Sequence, residues 1–192
     1  MRYAITPGTL TGLEDGETVD SLLRRCRQLA AEGVDFLLVR EKQLTAEELE
    51  AFSRQVVAVA AGSSTRVLVS GRADVAEASG GSGVNLGLDH PRAEVQAVLP
   101  GVWISRSCHA VADVVRAREL GADAVLFAPV FGKTVDGRVV VQGAGLDILR
   151  HAVEAAGDLP VFALGGVTWE NAQACLRAGA AGVAGIRLFF GE

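Results

Sequence analysis

The sequence predicts an α/β fold: a compact (β/α)8, or TIM, barrel with a shortened C-terminal end, forming a single domain over residues 1–192. Three observations predict it. Short apolar runs alternate with helix-period segments along the whole chain. Eight such runs over 192 residues leave 24 residues per unit. Several runs are almost wholly apolar, as parallel strands covered on both faces require. Eight units favour a closed barrel, and a doubly wound sheet is the alternative.

The candidate strands are 3–6, 35–40, 66–70, 83–87, 102–105, 124–128, 161–164 and 182–186. Between them the candidate helices are 18–32, 45–61, 73–79, 92–99, 110–120, 145–156 and 168–178. In the second helix Leu49, Phe52, Val56, Val57 and Ala60 keep helical spacing, and Thr45 with Glu48 reads as a capping box. Gly33, Gly121 and Gly179 follow helices and suit a left-handed stop. After the eighth strand only Arg187–Glu192 remain, too few for a full eighth helix. The apolar Leu188, Phe189 and Phe190 then either pack within the chain or meet a partner subunit, so a homo-oligomer is among the expectations.

Composition narrows the class. Hydrophobic residues make up 49%, charged residues 21%, and Gly counts 23, as in a soluble globular protein. No apolar run approaches the ~18 residues of a membrane span. The N-terminus lacks the pattern of a secretory signal. The net charge is −5 without a basic block, which argues against a nucleic-acid partner. Cys26, Cys108 and Cys175 are widely spaced and odd in number. They read as buried hydrophobes in a reducing, cytoplasmic compartment, with no cysteine-based metal site.

In a barrel, chemistry belongs where strands end and βα loops begin. Two late glycine loops, Gly165–Gly166 and Gly185–Ile186, suit a phosphate held by backbone N–H groups at helix N-termini, and Arg187 stands beside the second. Read alone, such glycines only make tight turns. His109 follows the fifth strand and precedes a helix, a place from which imidazole can move protons. The alternative is a cap or surface histidine. His90 and His151 read as structural or solvated. Arg40-Glu41-Lys42, after the second strand, offers two cations for an anionic substrate, or else a surface network. Ser107 has no evident Ser–His–Asp partners. Lys133, in a long loop from about 129 to 142, is placed to close over a ligand.

The chain resembles the thiamine phosphate synthase/TenI superfamily over nearly its whole length. The resemblance is carried by Tyr3-Ala4-Ile5-Thr6, Arg40-Glu41-Lys42, Asn85-Leu86-Gly87, Ser107-Cys108-His109, Gly121-Ala122-Asp123 and Pro129-Val130-Phe131. Gln142-Gly143 with Leu146, Gly165-Gly166-Val167 and the run from Ala178 to Ala184 complete it. It implies a barrel and a phosphorylated thiazole as ligand. It also implies one of two activities. Synthases join a pyrimidine pyrophosphate to a thiazole phosphate and need Mg²⁺. Several of their positions differ here: Leu38 stands for Gln, Ser70-Gly71 for Asn-Asp, and Asn85-Leu86-Gly87-Leu88 for His-Leu-Gly-Gln. Asp89 is a shifted match for a second metal-binding Asp, and the diphosphate-binding Lys falls near Asp136. TenI-type thiazole tautomerases need no metal and use a histidine matching His109.

The resulting expectation is a TenI-like tautomerase without cofactor or metal. His109 would be its acid/base, and Gly165, Gly166, Gly185 and Ile186 would bind phosphate. Arg40, Lys42, Ser107 and Lys133 would bind substrate. The alternatives are a synthase with a diphosphate site rebuilt from Lys133, Arg72 and Asp89, using Mg²⁺, and a non-catalytic regulator that binds thiazole phosphate or thiamine phosphate.

Overall fold

The computed structural model describes residues 1–135 and 138–191, with side-chain placement described outside 133–139. In chain order the first half comprises β1 (Arg2–Ile5), α1 (Gly16–Ala31), β2 (Phe36–Val39), α2 (Ala46–Ala60), β3 (Arg66–Ser70), α3 (Ala73–Ser79), β4 (Gly83–Leu86) and α4 (Arg92–Val98). The second half comprises β5 (Trp103–Cys108), α5 (Val111–Glu119), β6 (Ala124–Phe127), β7 (Lys133–Val135), β8 (Arg138–Val141), α6 (Gly145–Ala156), β9 (Val161–Ala163), α7 (Trp169–Arg177), β10 (Gly182–Gly185) and α8 (Arg187–Phe190). Eight parallel strands close into a barrel in the order β1-β10-β9-β6-β5-β4-β3-β2. The closing seam pairs Tyr3 with Ala184 and Ala4 with Gly185. The chain therefore forms the barrel expected from its eight units, and the doubly wound alternative falls.

Strand alternation divides the apolar residues into two layers. Tyr3, Phe36, Leu38, Leu68, Leu126 and Phe162 fill the barrel interior. Four aromatic rings plug it near the strand starts. Phe36 stacks on Trp103 at 4.4 Å and on Tyr3 at 5.2 Å, and Phe162 meets Phe36 edge-on at 5.6 Å. The opposite residues, such as Ala4, Leu37, Val39, Val69 and Ile104, lie under the helices with Leu29, Phe52 and Val56. These rings close the barrel at the N-terminal ends of the strands.

The local signals act as their chemistry requires. Thr45 and Glu48 form the reciprocal capping box. Gly33, Gly121 and Gly179 adopt φ of 71°, 70° and 96°, a region in which a Cβ would be strained. Cys26, Cys108 and Cys175 are free and buried.

Three features differ from the sequence reading or resolve it. First, β5 runs on to Cys108 instead of ending at 105. Ser105, Arg106 and Ser107 interrupt the apolar run, yet they pair with Ala124, Val125 and Leu126 of β6. Second, the loop at 129–142 contains the antiparallel pair β7–β8. Its signal was present in Thr134-Val135 and Val139-Val140-Val141, β-branched runs on either side of Asp136-Gly137. Third, the last helix has four residues. Phe189 is buried in the core, with Leu188 and Phe190 packed against it, and the Phe189 carbonyl accepts from Arg25 Nε at 2.7 Å. The C-terminal apolar residues thus pack within their own chain.

Candidate active site

The glycine loops after β9 and β10 line one cavity of about 630 Å³, together with Leu164, Thr168, Trp169, Ile186 and Arg187. Gly165 and Gly166 have φ of +89° and +66°. A Cβ on Gly165 would lie 2.7 Å from Pro129 Cα, and one on Gly166 would lie 2.7 Å from Phe131 Cβ. Only glycine fits both the dihedral and the space. The same turn leads into α7, where Thr168 accepts from Asn171 N and Asn171 Nδ2 donates to Gly166 O at 3.0 Å. These bonds fix the loop against the helix start, while glycine leaves its backbone open to an anion. Gly165, Gly166, Gly185, Ile186 and Arg187 are thus brought together.

His109 stands at the end of β5 and is exposed. Its backbone N–H donates to Asp113 Oδ2 at 2.8 Å, and Ala110 N donates to the same oxygen at 3.0 Å. Asp113 therefore caps α5 and fixes the backbone of His109. The ring is held separately, with Nδ1 2.7 Å from the Ala128 carbonyl oxygen. A carbonyl only accepts, so Nδ1 carries hydrogen and donates. In the neutral ring Nε2 is then the bare nitrogen, the form that takes up a proton.

Arg40, Lys42, Ser70 and Arg72 line a second cavity of about 350 Å³. In the barrel order Arg40, after β2, lies two strands from β10 on one side of the glycine loops. His109, after β5, lies two strands from β9 on the other. Arg40 and Lys42 line the second cavity and not the glycine-loop cavity, and His109 lines neither of the two. Glu41 does not join a surface network. It is 2% exposed and accepts from Gly8 N and Leu10 N, both at 3.0 Å. Arg40 N donates to buried Thr6 Oγ1 at 2.8 Å. The Arg-Glu-Lys segment thus ties the β1–α1 loop to the barrel with its acid and leaves its two cations on the cavity.

Inside the barrel, Ser107 Oγ donates to Asn85 Oδ1 at 3.1 Å, Asn85 Nδ2 donates to Ser105 Oγ at 3.0 Å, and Ser105 Oγ lies 2.9 Å from Tyr3 Oη. Burial pushes the Tyr3 phenol above its ordinary range, partly offset by the Ser105 bond. Ser107 is anchored to Asn85, and it is Ala128 that orients the His109 ring. Asn85 and the buried Arg106 were not singled out as site residues from sequence. Polar side chains within a strand were the available signal. Lys133 belongs to β7 by its backbone, its side chain lies outside the described residues, and Asp136 lies outside them altogether.

A divalent cation with a diphosphate needs several oxygen donors. Gly71 supplies none, and a Cβ there would meet open space. The nearby carboxylate of Asp74 is held by Arg72 at 2.8 and 2.6 Å. Arg72 is the largest cause of the low pKa of Asp74. Asp89 is exposed. At the end of β3 the described side chains therefore offer a Mg²⁺–diphosphate no free carboxylate.

The fold and mouth define a (β/α)8 barrel with a glycine-lined cavity where its last two strands end. The comparisons place it more closely. The family model for thiamine monophosphate synthase matches residues 3–189, and the chain belongs to that family of thiamine biosynthesis. It is 36% identical over 168 residues to the thiamine-phosphate synthase of Methanoculleus marisnigri, covering 86% of this chain and 79% of that one. It is 31% identical over 173 residues to the thiamine-phosphate synthase of Thermus thermophilus, covering 90% and 82%. The solved structure of thiamine phosphate pyrophosphorylase from Pyrococcus furiosus superposes with a TM-score of 0.81 at 26% identity, covering all of this chain and 87% of the other.

Proposed function

We propose that the chain acts on a phosphorylated thiazole at the barrel mouth, and that its reaction is the proton shift that makes the ring aromatic. The carrying observation is His109, whose Nδ1 is committed to the Ala128 carbonyl and whose Nε2 is left for substrate. The glycine loops would hold the phosphate, and Arg40 and Lys42 would meet the substrate carboxylate. His109 Nε2 would take a proton from one carbon and return it to another. The formula is unchanged, and neither oxidant nor metal is consumed.

A second reading, thiamine phosphate synthase, is favoured by the names of the relatives, which are synthases. Against it stand Gly71, which supplies no carboxylate, and the Arg72–Asp74 pair, in which the nearby carboxylate is already engaged. One experiment separates the two. The chain is given the exocyclic-alkene thiazole carboxylate phosphate without metal. In a parallel reaction it is given thiazole phosphate, pyrimidine pyrophosphate and Mg²⁺. Metal-free conversion above the uncatalysed rate supports the proton shift. Mg²⁺-dependent pyrophosphate release with no such conversion overturns it in favour of the synthase. Ligand-induced stabilisation with neither reaction would leave a binding protein.

A further inference from the structure

Arg106 is the largest of the fully buried side chains, and it is a cation. It lies on β5 between Ser105 and Ser107. Those two serines join the interior chain, so alternation sends Arg106 to the outer face of the sheet. An apolar residue is the usual occupant there. No ion pair with a carboxylate forms at Arg106 among the described residues, and its Nε has no hydrogen-bond partner among them. Burial lowers its pKa, and the Arg92 and Arg116 cations add to that effect. A buried charge without a counter-ion is costly unless its hydrogen bonds do specific work.

The bonds it does make are particular. Nη1 donates to Gly87 O at 2.6 Å, and Nη2 donates to His90 O at 2.7 Å. These carbonyls sit at the two ends of one short segment, the link between β4 and α4, with Leu88 and Asp89 between them. Its other anchors among the described residues are Leu88, packed against the core, and Arg92 at the start of α4, which donates to the Gly121 carbonyl and to Asp123 Oδ2. The helix it enters has seven residues, no side-chain cap and one buried residue, Val95. Its start is close to the site, because Asn85, two residues before Gly87, holds Ser107. A planar guanidinium fork reaches two carbonyls at fixed separation, which neither an apolar side chain nor a lysine can do.

We propose that Arg106 is a positioning residue: its buried fork clamps the Gly87 and His90 carbonyls and so fixes the β4–α4 segment at the barrel mouth beside the Ser107–His109 end of β5. Its effect on activity rests on the reading of that mouth as the thiazole-phosphate site. The clamp itself does not.

The test uses the full chain as wild type, Arg106→Met and Arg106→Lys. Amide hydrogen exchange is read at 95–99, where Val95 N bonds back to the Pro91 carbonyl and Leu99 N to that of Val95, and across the barrel, with kcat and KM measured on the thiazole carboxylate phosphate. Arg106→Met is expected to speed exchange at 95–99 at least tenfold while the barrel strands keep their protection. It should raise KM about fivefold or more with kcat within twofold. Arg106→Lys should fall between the two. A folded Arg106→Met variant with wild-type exchange at 95–99, or with exchange raised evenly over the barrel, overturns the proposal. If Arg106→Met does not fold, Arg106→Lys decides: faster exchange confined to 95–99 supports the clamp, and wild-type exchange removes it. Faster local exchange in a chain whose wild type turns over no thiazole phosphate upholds the clamp and overturns the functional reading alone.

Discussion

His109 is fixed by two bonds made by different parts of the residue. Asp113 holds its backbone, and the Ala128 carbonyl holds its ring. The second bond sets which nitrogen is free. Replacement by Asn leaves a side chain able to donate to the same carbonyl but unable to exchange protons near neutral pH. His109→Asn is expected to retain the wild-type melting temperature within about 2 °C, since changes at exposed positions are small. Phosphate-induced stabilisation should persist, and turnover should fall by a factor of at least 10². Single-turnover assays beside thermal melts check this, and near-normal turnover removes His109 from the chemistry. Gly166 yields a contrasting expectation. An Ala there meets a left-handed φ and the Phe131 backbone together. Gly166→Ala should cost about 2–4 kcal/mol from the backbone conformation and the overpacking combined. It should also weaken phosphate binding tenfold or more, measurable by urea titration with and without inorganic phosphate.

At the scale of elements, Glu41 does more than a residue in a surface motif would. Its two oxygens accept the Gly8 and Leu10 N–H groups, so the β1–α1 loop hangs on one buried carboxylate. Glu41→Gln presents an NH₂ to one of two donors and leaves that donor unpaired. The expected loss is about 2–3 kcal/mol, with faster amide exchange at 8–10 while α2 stays protected. Equal protection of that loop in the variant would show that the carboxylate does not carry it. The contrast with the α2 capping box shows what sequence reveals. Thr45 and Glu48 are three residues apart, so their reciprocal bonds follow from spacing alone. Glu41 and Gly8 are 33 apart, and only closure of the barrel brings them together. The same division runs through the molecule. Eight strands and seven helices were legible because apolar period and glycine stops are local. The places of the glycine loops and of His109 at strand ends were legible because the strands themselves were. The β5 extension, the Asn85–Ser105–Tyr3 chain and Arg106 were not, because polar residues in a strand mimic a loop until their cross-strand partners are known.

For the whole molecule, the three thiols set an alkaline limit. Burial pushes Cys26 up to about 12, helped by the Glu41 charge, and pushes Cys108 up to about 12, helped by Asp113. Burial also raises Cys175. A folded-state pKa above the unfolded value means that the folded chain keeps protons the unfolded chain releases. The associated stability is therefore fully present below the ordinary thiol range, near pH 9, and is lost as pH rises from there towards 12. The slope is at most about 1.4 kcal/mol per pH unit for each thiol that stays protonated in the fold. Tyr3 acts in the same direction at higher pH, because burial raises it too. Acid behaves in the opposite sense. Asp74 is lowered first by its bond with Arg72, so its contribution is present above the ordinary carboxylate range and is lost as pH falls through its folded value. The expected outcome is a stability plateau at neutral pH and a fall beginning near pH 9. Urea unfolding between pH 7 and 10.5 measures it, alongside a variant with Cys26, Cys108 and Cys175 all replaced by Ala. That variant starts lower because three small cavities open in the core, but its curve should decline less steeply above pH 9. Parallel curves for the two proteins would mean that the thiols ionise in the fold as readily as in the unfolded chain, and that burial behind the barrel does not protect them.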